Sequence, residues 1–338
     1  MTSFAGAAEG RTGWLISDGK AGNDVQSRGV FEALGLNVVV KPVQPRGLHK
    51  ILSPWIWVAG RERFGEAGSL FAPPWPDFAI AVGRLTTPYI RELKRRAGDH
   101  TYTIILQDPK VTLKTADLFW VPEHDHLRGS NVITTLTSPH SFTERGLAAL
   151  RATMPPEIAA LPSPRIAILL GGTNGDYNYT PAALGRLSSA LRGLAASGAG
   201  LMITPSRRSE QAIVDAARAA TEGSARLFWD MTGSNPYPQF LAHADAFVAP
   251  ADSVNMTSEP CATGKPVYVF YPDGGSPKFR RFHEALERRG ATRRSPANLS
   301  TIDSWTYPPL NSAEEIAAEI ARRWLQRASS AKEPAGPG

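Results

Sequence analysis

Short apolar, β-rich runs alternate with segments of helical period along nearly the whole chain, and the alternation occurs twice. That pattern restricts the fold to repeated βα units with a mostly parallel sheet in each half. Strands are predicted at Trp14–Ser17, Asn37–Val43, Phe78–Val82, Tyr102–Leu106, Leu118–Val121 and Val132–Leu136. Helices are predicted between them at Asp24–Leu34, Thr87–Ala97 and Phe142–Ala152, the first closed by Gly35. The stretch from Ala152 to Pro164 carries four prolines and reads as a linker, after which the pattern restarts. Arg165–Gly171, Gly200–Thr204, Arg226–Trp229, Ala246–Ala249 and Pro266–Tyr271 are the second set of strands. Thr180 and Pro181 open a helix striped by Leu184, Leu187, Leu191 and Leu194, and a Ser312–Glu315 capping box opens the last one, striped by Ile316, Ile320 and Trp324. The expected division is therefore a first α/β domain at 1–153, a linker at 154–164, a second α/β domain at 165–328 and a disordered tail at 329–338. Two doubly wound halves of this kind would face a cleft with the loops at the carboxyl ends of both sheets, where ligands bind.

Composition removes several classes. A single cysteine, Cys261, leaves no intramolecular disulfide and no Cys-rich zinc site. No apolar run is long enough to span a membrane, and Met1–Gly13 lacks the apolar core of a signal peptide, so a cytoplasmic protein is expected, with any contact with the inner membrane peripheral. The excess of 37 basic over 31 acidic residues is modest, and no nucleic-acid-binding motif accompanies it, so no nucleic-acid partner is expected. The basic residues concentrate between Lys278 and Arg294, as a site for anions or as a solvated helix face. Residues 46 to 76 mix Trp55, Trp57, Phe64, Phe71 and Trp75 with Arg46, His49, Lys50, Arg61 and Arg63, either an amphipathic surface for a membrane or aromatics packed on the sheet. No dinucleotide fingerprint, Walker A loop, nucleophile elbow or Asp-x-Asp pair is present, and the Glu123–His126 cluster has the spacing of a polar loop more than of a metal site. No metal and no bound cofactor are expected.

The loops after the strands carry what chemistry is visible. Asp18-Gly19-Lys20-Ala21-Gly22-Asn23 links a strand to a helix and exposes backbone N–H groups at a positive helix end. Asp18 there is either a general base on an acceptor hydroxyl or a turn-capping residue. The corresponding turn of the second half, Gly171-Gly172-Thr173-Asn174, permits close backbone approach, and Ser206, Arg207 and Arg208 follow the next strand with forks suited to phosphate. The loop Trp229–Tyr237, with Asn235 in it, offers rings and hydrogen-bonding groups to a nucleobase. Asp252-Ser253 opens a helix containing Met256, Ser258 and Glu259 and closing at Gly264-Lys265-Pro266. A carboxylate at Glu259 can accept two ribose hydroxyls, while Ser253 and the helix N–H groups hold phosphate.

That last segment resembles the Ser-x-x-Glu-x-x-x-x-Gly-x-Pro signature of GT-B glycosyltransferases and of the sugar-nucleotide 2-epimerases that share their fold. More closely, Asp18–Gly22, Gly83-Arg84, Gln107-Asp108-Pro109, Pro122–Asp125, Gly171–Gly175, Thr204–Arg208 and Ala251–Ser253 resemble the mitochondrial fission ELM (elongated mitochondria) family, over roughly residues 12 to 327. The resemblance implies two Rossmann-like domains in a GT-B-like arrangement, and its plant namesake is associated with recruiting a fission GTPase to the mitochondrial outer membrane. Pro260 and Cys261 depart from the usual helix formers after the glutamate. The function so implied is metal-independent transfer of a sugar from a nucleotide sugar, UDP-linked, to a cell-envelope or lipid-linked acceptor. Donor binding falls to Gly171, Gly172, Thr173, Asn174, Ser206, Arg207, Arg208, Asn235, Asp252, Ser253, Met256, Ser258 and Glu259. Catalysis falls to Asp18, Asp108 and His124, with Gly19, Lys20, Gly22, Asn23 and Gln107 on the acceptor side. Two alternatives stand beside it: a non-catalytic peripheral membrane adaptor and a nucleotide-sugar epimerase.

Overall fold

Runs such as Phe78–Val82, Tyr102–Leu106 and Leu118–Pro122 are apolar at nearly every position and buried throughout, as strands covered on both faces must be. The computed structural model describes residues 8–330. Residues up to Ser141, together with those from Ser312 onward, form one compact unit, and Phe142–Asn311 forms the other. The first unit contains β1 (Thr12–Ser17), α1 (Ala21–Leu34), β2 (Asn37–Pro42), α2 (Leu48–Ile51), β3 (Phe78–Val82), α3 (Thr87–Ala97), β4 (Tyr102–Leu106), β5 (Leu118–Pro122) and β6 (Val132–Thr135). The second contains α4 (Glu144–Arg151), α5 (Pro156–Ala159), β7 (Arg165–Leu170), β8 (Tyr177–Asn178), α6 (Pro181–Ala196), β9 (Gly200–Pro205), α7 (Gln211–Ala220), β10 (Arg226–Phe228) and α8 (Tyr237–His243). It continues through β11 (Ala246–Pro250), α9 (Val254–Cys261), β12 (Val267–Phe270), β13 (Asp273–Gly274), α10 (Pro277–Arg288) and β14 (Thr292–Arg294). The last helix, α11 (Ser312–Ser330), returns to the first unit.

Each unit is built on a six-stranded parallel sheet, ordered β2-β1-β3-β4-β5-β6 in the first and β10-β9-β7-β11-β12-β14 in the second. The expected α/β class with two doubly wound sheets is therefore observed. Alternating residues of the first sheet feed two cores. Leu15, Ile80, Ile104 and Trp120 pack with Phe31 of α1 and with Ile316 and Ile320 of α11, while Trp14, Ile16, Ala81 and Phe119 pack with Leu93 of α3 and with Phe64 and Phe71.

The division of the chain differs from the expected one in two places. The proline-rich stretch is not a free linker: α5 lies within it, Ile158 and Leu161 are buried, and α4 before it also belongs to the second unit. The apolar stripe of α11 covers the first sheet instead of ending the second domain, because periodicity reveals an apolar face without revealing its partner. Ser329 and Ser330, expected in the tail, belong to α11, and the other residues of that expected tail lie outside the described residues, as do residues 1–7 of the amino-terminal stretch. Strand β14 and the antiparallel β8–β13 pair had no sequence signal strong enough to place them.

Thr180 caps α6 as expected, accepting from Ala183 N at 3.2 Å while its hydroxyl donates to Asp273. Thr180→Ala is expected to cost about 1 kcal/mol, read as a melting point a few degrees lower. A change within error would assign the start of α6 to Pro181 alone.

Candidate functional site

In both sheets the strand order reverses beside the first strand, between β1 and β3 in the first unit and between β7 and β11 in the second. At such a reversal the loops leaving two neighbouring strands diverge and open a crevice at their carboxyl ends. The loops singled out from the sequence leave β1, β7 and β11, so the fold puts them at these two crevices.

In the second unit the crevice is organised by Asp252, the second residue beyond β11. Its carboxylate accepts from Gly172 N (3.2 Å), the Tyr179 hydroxyl (2.9 Å) and the Arg208 guanidinium (3.0 Å), and its backbone carbonyl accepts from Asn174 Nδ2 (2.9 Å). The residue is only 2% exposed, and burial pushes its carboxyl above the ordinary value despite these donors. A Cβ on Gly171 would stand 2.0 Å from Asp252 Oδ1, and one on Gly172 would stand 2.0 Å from the Arg208 carbonyl oxygen. The glycines thus give room to the protein's own carboxylate and backbone. The donors of the turn are engaged as well: Thr173 N reaches the Glu210 carboxylate at 3.1 Å, and Asn174 N reaches the Tyr177 carbonyl at 2.9 Å. Two internal carboxylates and a carbonyl therefore occupy Gly172 N, Thr173 N, Asn174 N and the Arg208 guanidinium, which are part of the donor set that the sequence suggested for a diphosphate.

Beside this cluster, at the ends of β9 and β10, lies a cavity of about 420 Å³ lined by Ser206, Arg207, Trp229, Asn235, Tyr237 and Met256, with Thr204, Pro205, Met231 and Gly233. The two arginines have separate surroundings: Arg208 is spent on Asp252, and Arg207 lines the cavity. Glu259 lies behind the wall, 8% exposed, where its Oε2 accepts the Tyr237 hydroxyl at 2.5 Å. Burial pushes the Glu259 carboxyl up to about 7, the Tyr237 hydrogen bond opposing the shift. Ser253 caps α9 by accepting from Met256 N at 3.3 Å, and Ser258 is fully buried. Pro260 is accommodated in the last turn of that helix, and burial pushes the neighbouring Cys261 thiol up to about 12, which makes it a poor nucleophile.

The first-unit crevice collects most of the acceptor-side residues. Asp18 Oδ1 accepts from Lys20 N (3.3 Å) and Asn23 Nδ2 (3.2 Å), and Lys20 Nζ pairs with Asp18 Oδ2 at 3.1 Å. Gly19, at φ +78°, makes the turn, and Gly22 lies in the first turn of α1. An amide chain extends inward, from Gln107 Nε2 to Gln26 Oε1 (2.9 Å) and from Gln26 Nε2 to Ser138 Oγ (2.9 Å). Asp18, Gln44, Arg46, Lys50 and Leu85 share a cavity of about 480 Å³ with Val43, Pro45 and Gly47. Asp108 does not join them: both its oxygens face Lys110, at 2.8 Å from the backbone N and 2.5 Å from Nζ, so it caps its own turn. His124 is buried at the end of β5. Among the described residues no three His, Cys, Asp or Glu side chains gather as a set of metal ligands.

The basic segment 278–294 is divided between α10 and β14; Arg293 pairs with Asp303 and lies over Trp305, and Arg294 lies over Tyr271. The aromatics of 46–76 divide as well, Phe64 and Phe71 entering the core while Trp55 and Trp57 stand 66% exposed. Tyr179 drew no attention in the sequence, and Tyr237 entered only as a ring of the Trp229–Tyr237 loop. They serve through contacts 73 and 22 residues away, and no local spacing announces such contacts.

Comparison with known proteins agrees with the fold. The model of the family described as Mitochondrial fission ELM1 matches residues 21–324. The Mitochondrial fission protein ELM1 of Arabidopsis thaliana is 28% identical over 75% of this chain and 65% of its own length. An uncharacterised protein of Rickettsia prowazekii is 30% identical over 46% of this chain and 45% of its own. The chain thus spans less than two thirds of the curated relatives it matches. Among solved structures, the UDP-GlcNAc 2-epimerase of Methanocaldococcus jannaschii superposes with a TM-score of 0.51 over 94% of this chain and 99% of that one, at 8% identity. That likeness is one of fold.

Proposed function

We propose, from the premise that this chain belongs to the Mitochondrial fission ELM1 family, that its second unit binds a nucleoside diphosphate sugar and that the protein transfers the sugar without a metal. The observation that carries this reading is the cavity at the ends of β9 and β10, which puts rings and Arg207 around a single space with the buried Glu259 carboxylate behind Tyr237 in its wall. Trp229 and Tyr237 offer faces to a base, and Asn235 offers an amide to its edge. Ser206, Arg207 and the amino end of α9 would neutralise the diphosphate as it leaves. Glu259 would accept ribose hydroxyls once Tyr237 turns away from it. UDP is the first nucleotide to test, because the fold is shared with an enzyme named for UDP-GlcNAc. On the acceptor side Asp18 is the proposed base, and a lipid-linked hydroxyl is the proposed acceptor.

A second reading, a binding protein without turnover, draws support from the name of the plant relative and from the pairing of Asp18 and Asp108 with neighbouring lysines. Thermal melts with UDP and UDP-sugars separate nucleotide binding from its absence. A hundredfold excess over Kd should stabilise the protein by about 2.7 kcal/mol. Arg207→Ala and Trp229→Ala should each weaken binding about tenfold or more. No stabilisation by any nucleotide sugar would sink the donor assignment, whereas binding without release of UDP on added acceptor would favour the second reading.

A further inference from the structure

From Ala33 to Arg61 the sequence contains no Asp or Glu, while it contains Lys41, Arg46, Lys50 and Arg61. Within that stretch Leu48 (67% exposed), Ile51 (66%), Trp55 (66%) and Trp57 (66%) present large apolar side chains to solvent, with Leu52 nearly half exposed. Soluble surfaces seldom spend four or five such residues on one short segment without a partner. The segment is also held in place. Ser53 and Pro54 are buried, Arg84 donates to the carbonyls of Ser53 (2.7 Å) and Ile51 (3.4 Å), and Arg91 donates to those of Pro54 (2.7 Å) and Trp55 (3.4 Å). His49 Nδ1 lies 3.1 Å from the Trp57 carbonyl oxygen, and Trp55 Nε1 donates to the Lys110 carbonyl at 3.3 Å. The backbone polar groups are thereby tied inward while the apolar side chains face out, so little ordering remains to oppose binding.

We propose that this face of the first unit docks on the surface of an anionic phospholipid bilayer. Tryptophan and leucine side chains flanked by lysine and arginine are the composition that lies in a bilayer interface, the rings at headgroup depth and the cations on lipid phosphates. Charge decides between occupants. A second copy of the same face would set Arg46 and Lys50 against their own counterparts with no carboxylate in the stretch to meet them, whereas an anionic headgroup layer complements them. Arg46 and Lys50 also line the cavity that contains Asp18, so the docked segment forms one wall of the first-unit crevice and a headgroup there lies within its reach. No helix among the described residues is long and apolar enough to cross a membrane, and docking at this face requires none. The inference stands whether or not the second unit transfers sugar.

Flotation of the full chain with phosphatidylglycerol-rich vesicles and with vesicles of phosphatidylcholine alone tests it. Binding is expected to the anionic vesicles, to fall as salt is raised and to drop roughly tenfold in W55S/W57S, whose side chains leave no hole in the core. Because both tryptophans are exposed, the variant should melt like the wild type and keep any stabilisation by nucleotide, so a failure here is distinct from a failure of the donor site. Equal flotation of W55S/W57S and wild type overturns the proposal. So does equal binding to both vesicle types, and so does a dimer that the double substitution converts to monomer while no vesicle binding is seen.

Discussion

Replacing Asp252 with Ala is expected to lower the melting temperature of the second unit by about 6–12 °C, equivalent to about 3 kcal/mol for a unit of this size. The carboxylate is the common acceptor for Gly172 N, the Tyr179 hydroxyl and the Arg208 guanidinium. Arg208 is 44% exposed at its side chain and turns to water when its partner goes, so the ion pair itself contributes little. Tyr179 and the backbone of Gly172 are buried, and each donor left without an acceptor costs about 1–3 kcal/mol. Asp252→Asn keeps an oxygen for Tyr179 and should recover about half of the loss. Calorimetry on the three proteins checks this. If Asn and Ala variants melt together near the wild type, the crevice does not depend on this residue, and the account of Gly171 and Gly172 as room for its carboxylate falls with it.

Glu259→Gln should act in the opposite direction, stabilising the protein at alkaline pH. Burial moves the carboxyl from its ordinary 4.5 up to about 7, so the folded state holds the proton more tightly than the unfolded chain does. The sign follows directly: the residue costs nothing below about pH 4.5, the cost grows between there and about 7, and it is complete above. The interval of about 2.5 corresponds to about 3 kcal/mol of stability lost by the wild type and not by the glutamine variant. Melting curves at pH 5 and pH 8.5 should therefore nearly coincide at the lower pH and separate by several degrees at the higher one. A constant difference at both would show that Glu259 is not held protonated. The same substitution should weaken nucleotide binding, since one amide cannot accept two hydroxyls, and a stability gain coupled to a binding loss is the behaviour of a functional carboxylate kept at the expense of the fold.

The strands and the helices of the βα repeats were legible because burial on both faces of a parallel sheet demands uninterrupted apolar runs, and β3 and β4 fall at their predicted residues. The loops at the carboxyl ends were legible for a related reason, as small and polar residues must sit where chain direction reverses. Asp18, Asn23 and Gln107 consequently meet in one network, and Asp252 meets the Gly171–Asn174 turn. The further division into parts was less accessible. Four prolines read as a linker, yet α5 forms among them and buries Ile158, since proline is tolerated at the start of a helix.

By itself the sequence determined that the chain is α/β, that its sheets are parallel and which turns open at their carboxyl ends, because each follows from local periodicity and backbone preference. Only the tertiary structure decided that α11 covers the first sheet, that Tyr179 reaches Asp252 and Tyr237 reaches Glu259, that Asp108 turns onto Lys110, and which tryptophans of one segment stay in water. The physical reason is that an apolar stripe or a lone hydroxyl specifies the kind of surroundings a residue needs, while strand order and packing choose which of the many equivalent partners it receives.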